Sequence, residues 1–270
     1  MLVREMLSGD LKKFSAGLSA EQRPIEAWAN FDFENEIPRN LCLILGATHG
    51  NEPATRFLLD SFLKELQVSQ PVMIIPVVNP DGWERNSRYT ASGVDLNRNF
   101  SGDWSSSSQE PSGPFPFSEP ESCLLRDLIF KLQPLKIITL HWALAEIDAD
   151  GIQSAPLALA MWNSLSPELQ RPYRLRIEDT NAIEWTNAFC PGSLGRWCGY
   201  HLLYPDQSRP MIVTLELPYD PKASARPERL PTDHLETLRA AWKENSSGYL
   251  EAAAPGVHQM LKAACEFIPT

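Results

Sequence analysis

The chain has 270 residues, 43% of them hydrophobic, and a formal net charge of −10. That length and apolar content can bury a large core, which excludes wholesale disorder. The acidic balance makes nucleic acid and anionic membrane surfaces poor partners. The five cysteines are odd in number and widely spaced, with no Cys-x-x-Cys pair, so reduced, buried thiols are expected rather than a disulfide framework. The N-terminus shows no apolar run ahead of a small-residue cleavage site, and no stretch approaches the roughly 20 apolar residues that span a bilayer. A cytoplasmic location is the expectation.

In chain order, Leu41 to Gly46 (LCLILG) is a short apolar run stopped by glycine, which predicts a buried strand. ATHGNEP follows, then TRFLLDSFLKELQ, in which Phe57, Leu58, Phe62, Leu63 and Leu66 recur at helical spacing. Val72 to Val78 predicts a second strand, closed by the turn signal Asn79-Pro80-Asp81-Gly82. The polar stretch from Trp83 to Pro120 is rich in Ser, Pro and Gly. An irregular segment of that length in a compact domain is functional or mobile. A helix is expected from an N-cap at Ser118 to Leu132. Lys136 to Leu140 (KIITL) predicts a third strand running straight into His141. The region from Ala149 to Cys190 suggests a helix near Pro156–Leu165 and then short strands. Met211 to Leu217 (MIVTLEL) predicts a fourth strand with Glu216 near its end. Thr232 to Phe267 reads as helical, interrupted near Gly248 or Pro255.

Strands alternating with helices predict an α/β fold: a three-layer α/β/α sandwich with a mixed, mostly parallel central sheet, residues 1–270 forming one catalytic domain. Ligands of open α/β sheets bind beyond the carboxyl ends of the strands. His49 and Glu52 follow the first predicted strand, His141 the third, and Glu216 ends the fourth, so metal-competent residues gather at one sheet edge. His49 and Glu52, three residues apart at a strand-to-helix turn, can face one point. Two histidines and a glutamate that leave one position open are a catalytic zinc set.

HGNE at 49–52, NPDG at 79–82, GVDLNRNF at 93–100, the strand ending in His141 and TLELP at 214–218 together resemble the zinc carboxypeptidase family. The resemblance runs from Leu41 to Pro218. PGSLGRWCG and LELP are most similar to its murein peptide amidase branch, which removes diaminopimelate from a γ-D-glutamyl amide in peptidoglycan peptides. The resemblance implies one zinc ion on His49, Glu52 and His141, with a second ion left open. Asp95 would orient the first zinc histidine. Asn97 and Arg98 would hold the substrate's terminal carboxylate, Arg88 would stabilise the oxyanion with Arg85 as its competitor, and Glu216 would be the general base.

The chain also departs from the family pattern. Neither Tyr200 nor Tyr204 falls at the position of the mobile tyrosine of the digestive members. Trp142 replaces a small polar residue and either narrows the pocket or packs in the core. Asp148 or Asp150 could hold the ammonium of a diaminopimelate-like leaving group. Together with Asp81, they are also the carboxylates available to a second metal. His201, His234 and His258 read as surface or helix histidines. The expected activity is hydrolysis of a peptide or γ-glutamyl amide bond next to a free carboxylate, on a small peptide or amino-acid-amide substrate. The alternatives are an N-acyl amino acid deacylase of the succinylglutamate desuccinylase or aspartoacylase type, and a non-catalytic peptide-binding protein.

Overall fold

Strands β3 (Cys42–Leu45), β4 (Val72–Ile75), β5 (Lys136–Trp142) and β8 (Met211–Leu217) are the continuous apolar runs of the sequence. They are buried because helices cover both of their faces, as parallel strands require. The computed structural model describes residues 11–177, 190–222 and 234–269. β7 (Arg174–Ile177) is a short strand of the kind expected after Pro156–Leu165, whereas β1 (Lys12–Leu18), β2 (Pro24–Ala29) and β6 (Glu146–Asp150) were not resolved as strands from the sequence. They carry alternating polar residues or are short and half-exposed, so no apolar run marks them.

The described strands form one sheet in the order β1-β2-β4-β3-β5-β8-β6-β7. β4, β3, β5 and β8 run parallel, as does the β6–β7 pair. β1 and β2 pair antiparallel at one side, and β6 meets β8 antiparallel. The sheet is therefore mixed and mostly parallel, as predicted.

Helices α1 (Pro53–Glu65), α4 (Ala155–Asn163) and α5 (His234–Glu266) cover one face. Leu58, Leu59, Phe62, Leu157, Met161 and Val257 pack there on Ile44, Ile74, Ile138 and Val213. Helix α3 (Pro120–Leu132) covers the other, with Leu125, Leu128 and Ile129 on Leu43, Leu45, Met73, Ile137 and Ile212. Lys136, at the start of β5, is fully buried, and its Nζ donates to the carbonyls of Cys265 (2.7 Å) and Phe267 (2.8 Å) at the end of α5. A buried cation is tolerated when it satisfies carbonyls that a helix end leaves open.

Three expectations are corrected. The N-cap of α3 is Glu119, not Ser118; the Ser118 hydroxyl instead accepts from Asn99 Nδ2 at 2.9 Å. NPDG does not simply turn: Asn79 caps a short helix, α2 (Pro80–Glu84), by accepting from Gly82 N. Helix α5 passes Gly248 and Pro255 without a break. Its packing against α1 and α4, with Ala253 and Val257 buried, overrides the local cost of proline. Thr232 lies outside the described residues.

The long polar stretch is organised around one buried amide. Asn99 Nδ2 donates to Ser112 O (2.8 Å), Phe115 O (3.2 Å) and Ser118 Oγ, while its Oδ1 accepts from Glu119 N (3.1 Å) and Ser122 Oγ (2.7 Å). Asp95 N donates to Pro111 O at 2.7 Å, tying the GVDLNRNF string to the same loop. Asn99→Ala strips several buried groups of partners, each worth about 1–3 kcal/mol. Urea unfolding should show a loss of about 3 kcal/mol or more, with new proteolytic cuts within residues 101–117. A loss below about 1 kcal/mol with an unchanged digest would show that Asn99 does not hold this loop.

Candidate active site

The site begins with a close backbone contact. A Cβ on Gly50 would stand 2.0 Å from the carbonyl carbon of Gly82. Only glycine allows that approach, which presses the HGNE turn onto NPDG. Glu52 then falls at the N-cap of α1, one residue before the helix rather than inside its first turn. His49 Nδ1 meets Glu52 Oε1 at 2.8 Å, and His141 Nδ1 meets Glu52 Oε2 at 3.2 Å. All three residues are buried, and their ligand atoms lie within 4.8 Å of one another. Two imidazole nitrogens and a carboxylate at that spacing match the donor chemistry of zinc, and one ion can bridge them with small side-chain adjustments. This is the metal-competent group of three found among the described residues.

The outer nitrogen of each imidazole is also held. His49 Nε2 meets Asp95 Oδ1 at 3.0 Å, and His141 Nε2 meets Thr139 Oγ1 at 3.3 Å. Such outer partners fix ring orientation and tautomer in metal sites. Asp95 is fully buried and also accepts from Asn97 N (2.9 Å) and from Arg88 Nε (2.9 Å) and Nη2 (2.8 Å). Arg88 Nη1 is left facing the centre, 3.4 Å from His49 Nδ1 and 3.8 Å from Glu52 Oε1. Arg85 is instead engaged by Glu21 in the β1–β2 turn.

The charges follow from this geometry. Burial opposes protonation of His49, but the carboxylates of Glu52 and Asp95 outweigh it and raise the imidazole to about 9. Burial would raise Glu52, yet the two imidazoles hold it well below the usual carboxylate range. Asp95 is held down against burial by His49 and Arg88. Burial keeps His141 below the ordinary histidine value despite Glu52.

Sheet register places the remaining acids. His141 on β5 pairs with Glu216 on β8, which pairs with Glu146 on β6, so these three stand side by side on one face. One step deeper on that face lie Thr139, Thr214 and Asp148. Burial first, and the Glu52 charge second, push Glu216 up to about 8; its Oε2 accepts from Leu144 N at 3.3 Å. Glu146 is bound by Arg174. Asp148 lies 3.4 Å from Arg176 Nη1, while its Oδ1 has no hydrogen-bond partner among the described residues. Asp150 accepts from Thr214 Oγ1 at 2.7 Å and packs on Gly195.

Asn97 and Arg98 sit on a 3-10 turn below Asp95. Asn97 Oδ1 accepts from Leu194 N at 3.0 Å, and Arg98 Nη1 donates to its neighbour's carbonyl, Asn97 O, at 2.8 Å. Gly192 has φ +73°, and a Cβ there would lie 2.2 Å from Arg98 O. Glycine is thus what lets the PGSLGR segment close over the LNRN turn.

The chain matches the model of the zinc carboxypeptidase family over residues 3–143, more than half its length. The chain belongs to the zinc carboxypeptidase family. Among curated relatives of this carboxypeptidase-family chain is murein peptide amidase A of Escherichia coli (strain K12), 34% identical over 172 residues, covering 58% of this chain and 65% of that protein. The chain thus matches somewhat less than two thirds of that relative's length. Solved structures share the fold. The murein-tripeptide amidase of Escherichia coli O157 matches with a TM-score of 0.58 at 24% identity, over 99% of this chain and 98% of that one. Bovine thrombin-activatable fibrinolysis inhibitor gives 0.67 at 18% identity, over 94% and 89%.

Other residues of this family member are structural. Trp142 packs in the core, its indole N–H donating to Pro218 O at 3.2 Å. Tyr204 is buried and donates to Pro134 O at 2.8 Å; Tyr200 lies beneath the Arg196 guanidinium. Asp81 accepts from Ser19 Oγ (2.8 Å), Glu21 N (3.0 Å) and Arg23 Nη1 (2.6 Å), which commits it to the β1–β2 turn rather than to a metal. His201 pairs with Asp103, and His258 links Ser61 to Glu65. The side chain of His234 lies outside the described residues. All five cysteines are free, but only Cys42, Cys198 and Cys265 are buried; Cys123 is half-buried and Cys190 exposed. No helix among the described residues is long and apolar enough to cross a membrane. Thr139 and Asn99 were missed from the sequence, because nothing local marks a strand threonine or a loop asparagine as a partner of distant groups.

Burial raises the Asp148 carboxyl to about 6, with Arg176 pulling it back only in part. A carboxyl raised in the folded state binds its proton more tightly than in the unfolded chain, so its contribution to stability falls as pH rises from about 4 to 6. Asp148→Asn should therefore stabilise the protein at pH 8 by on the order of 2 kcal/mol, the gain shrinking towards zero near pH 4. Thermal melts of both forms across that range check it, and a gain that does not vary with pH would refute the assignment.

Proposed function

We propose that this chain is a zinc-dependent amidase of the carboxypeptidase type. It hydrolyses a peptide or γ-glutamyl amide bond next to a free carboxylate, and the substrate is a small murein peptide. One observation carries the reading: Glu216 and His141 stand at the same level on adjacent strands of one face, beside the His49–Glu52–His141 donor set. The relationship to murein peptide amidase A supports the substrate class.

His49, Glu52 and His141 would hold one zinc ion, which when bound supplies Lewis acidity to the attacking water and the scissile carbonyl. Asp95 keeps the His49 ring oriented. Glu216 takes the proton of the attacking water and returns it to the leaving amine. Arg88 Nη1 donates to the carbonyl oxygen as negative charge builds there. Asn97 and Arg98 bind the terminal carboxylate of the released residue, where a guanidinium can act through two parallel hydrogen bonds. Of the two candidate aspartates, Asp148 suits the ammonium of a diaminopimelate side chain better, because Asp150 is already engaged by Thr214.

Zinc-loaded protein should release diaminopimelate from a γ-D-glutamyl-diaminopimelate peptide in preference to cleaving C-terminal dipeptides or N-succinyl amino acids. Glu216→Gln should keep its zinc and lose kcat by at least about 100-fold. A near-normal kcat would remove Glu216 as the base, and turnover of only the N-succinyl compounds would redirect the reading to a deacylase. Asp148→Asn should lower kcat/KM for the diaminopimelate peptide by about tenfold, the worth of one charge-assisted hydrogen bond, while sparing a peptide whose released residue has a neutral side chain. Equal losses on both would separate Asp148 from ammonium recognition.

A further inference from the structure

The two metal-competent histidines are held by different chemistry. His49 Nε2 faces a carboxylate, Asp95, which is itself fixed by Arg88 and the Asn97 amide. His141 Nε2 faces a hydroxyl, Thr139 Oγ1, at 3.3 Å. Both members of this second pair are buried, and they sit two residues apart on β5, so their side chains share one face of the strand. Thr139 is flanked across the sheet by Leu45 on β3 and Thr214 on β8. A β-branched side chain walled in this way has little χ1 freedom, so its hydroxyl stays at the ring.

From this geometry we infer that Thr139 is a positioning residue of the metal centre, holding the His141 imidazole with Nδ1 towards the ion. It rests on the reading of His141 as a metal ligand and adds to that reading the group that orients it. The chemistry of a hydroxyl makes the assignment specific. A carboxylate only accepts, so Asp95 demands an N–H at His49 Nε2. A hydroxyl both donates and accepts. Thr139 can therefore accept from Nε2–H when Nδ1 coordinates an ion, and donate to Nε2 when Nδ1–H points at Glu52. It keeps the ring in one orientation through both states, without adding a third carboxylate beside Glu52 and Glu216. Valine matches threonine in shape but can do neither.

The test is zinc affinity of the full chain, measured by competition with a chromophoric chelator, alongside the melting temperature of each metal-free variant. Thr139→Val should weaken zinc binding by about tenfold or more, the usual cost of losing such an outer partner. Thr139→Ser, which keeps the hydroxyl and loses the methyl group, should bind within about twofold of the parent. If the valine variant does not fold, Thr139→Ala against Thr139→Ser supplies the same comparison of hydroxyl with no hydroxyl. Parent-like affinity in Thr139→Val, or equal losses in the serine and hydroxyl-free variants, would overturn the inference. A parent protein that takes up no zinc would instead bring down the metal-centre reading itself.

Discussion

The carboxylate of Glu52 is the constraint on which the site is built. It is buried, and each oxygen faces an imidazole brought from a different strand end. A buried carboxylate without such partners would cost several kcal/mol. The turn after β3 and the end of β5 can therefore not drift apart without leaving a charge uncompensated. The Trp142 amide adds a third contact to the same carboxylate at 3.2 Å, so the backbone of β5 is pinned along with its histidine.

Asp95 repeats the arrangement one shell further out. It gathers His49, Arg88 and the Asn97 amide around one buried anion, coupling the position of the arginine to that of the first histidine. The turn carrying Asn97 and Arg98 is in turn closed by Gly192 and braced by the Asn99 amide. His49, Arg88, Asp95, Asn97, Asn99 and Leu194 are thereby held in one hydrogen-bonded frame, although none of them lies in a strand of the sheet. Catalytic geometry of this kind has to be held to within a fraction of an ångström, and buried polar networks with satisfied partners give that rigidity.

The β5–β8–β6 face concentrates acids: Glu216 and Glu146 lie directly opposite each other, with Asp148 one step deeper. Like charges facing across strands are destabilising, and Arg174 and Arg176 offset only part of this. Burial is the main cause of the upward displacement of Glu216 and Asp148, and neighbouring carboxylates add to it. A fold optimised for stability alone would place apolar residues here. Concentrated, perturbed carboxyls beside a metal-competent cluster are the physical mark of a site kept for chemistry.

By itself the sequence determined the elements whose signals are local. The continuous apolar runs of β3, β4, β5 and β8 exclude most alternatives to buried strands. The His49–Glu52 spacing depends on a single turn, and the glycine-bearing strings carry backbone requirements that no other residue meets. Tertiary structure alone decided the rest, because those features are relations between distant residues. It brought His141 and Glu216 to one level through sheet register, took up Asp81 and Arg85 in the β1–β2 turn, and kept α5 continuous through Pro255 by packing. It also set Thr139 against His141 and gave Asn99 its five partners. A threonine or an asparagine reads the same in any strand or loop, and only the groups packed around it settle what its polar atoms do.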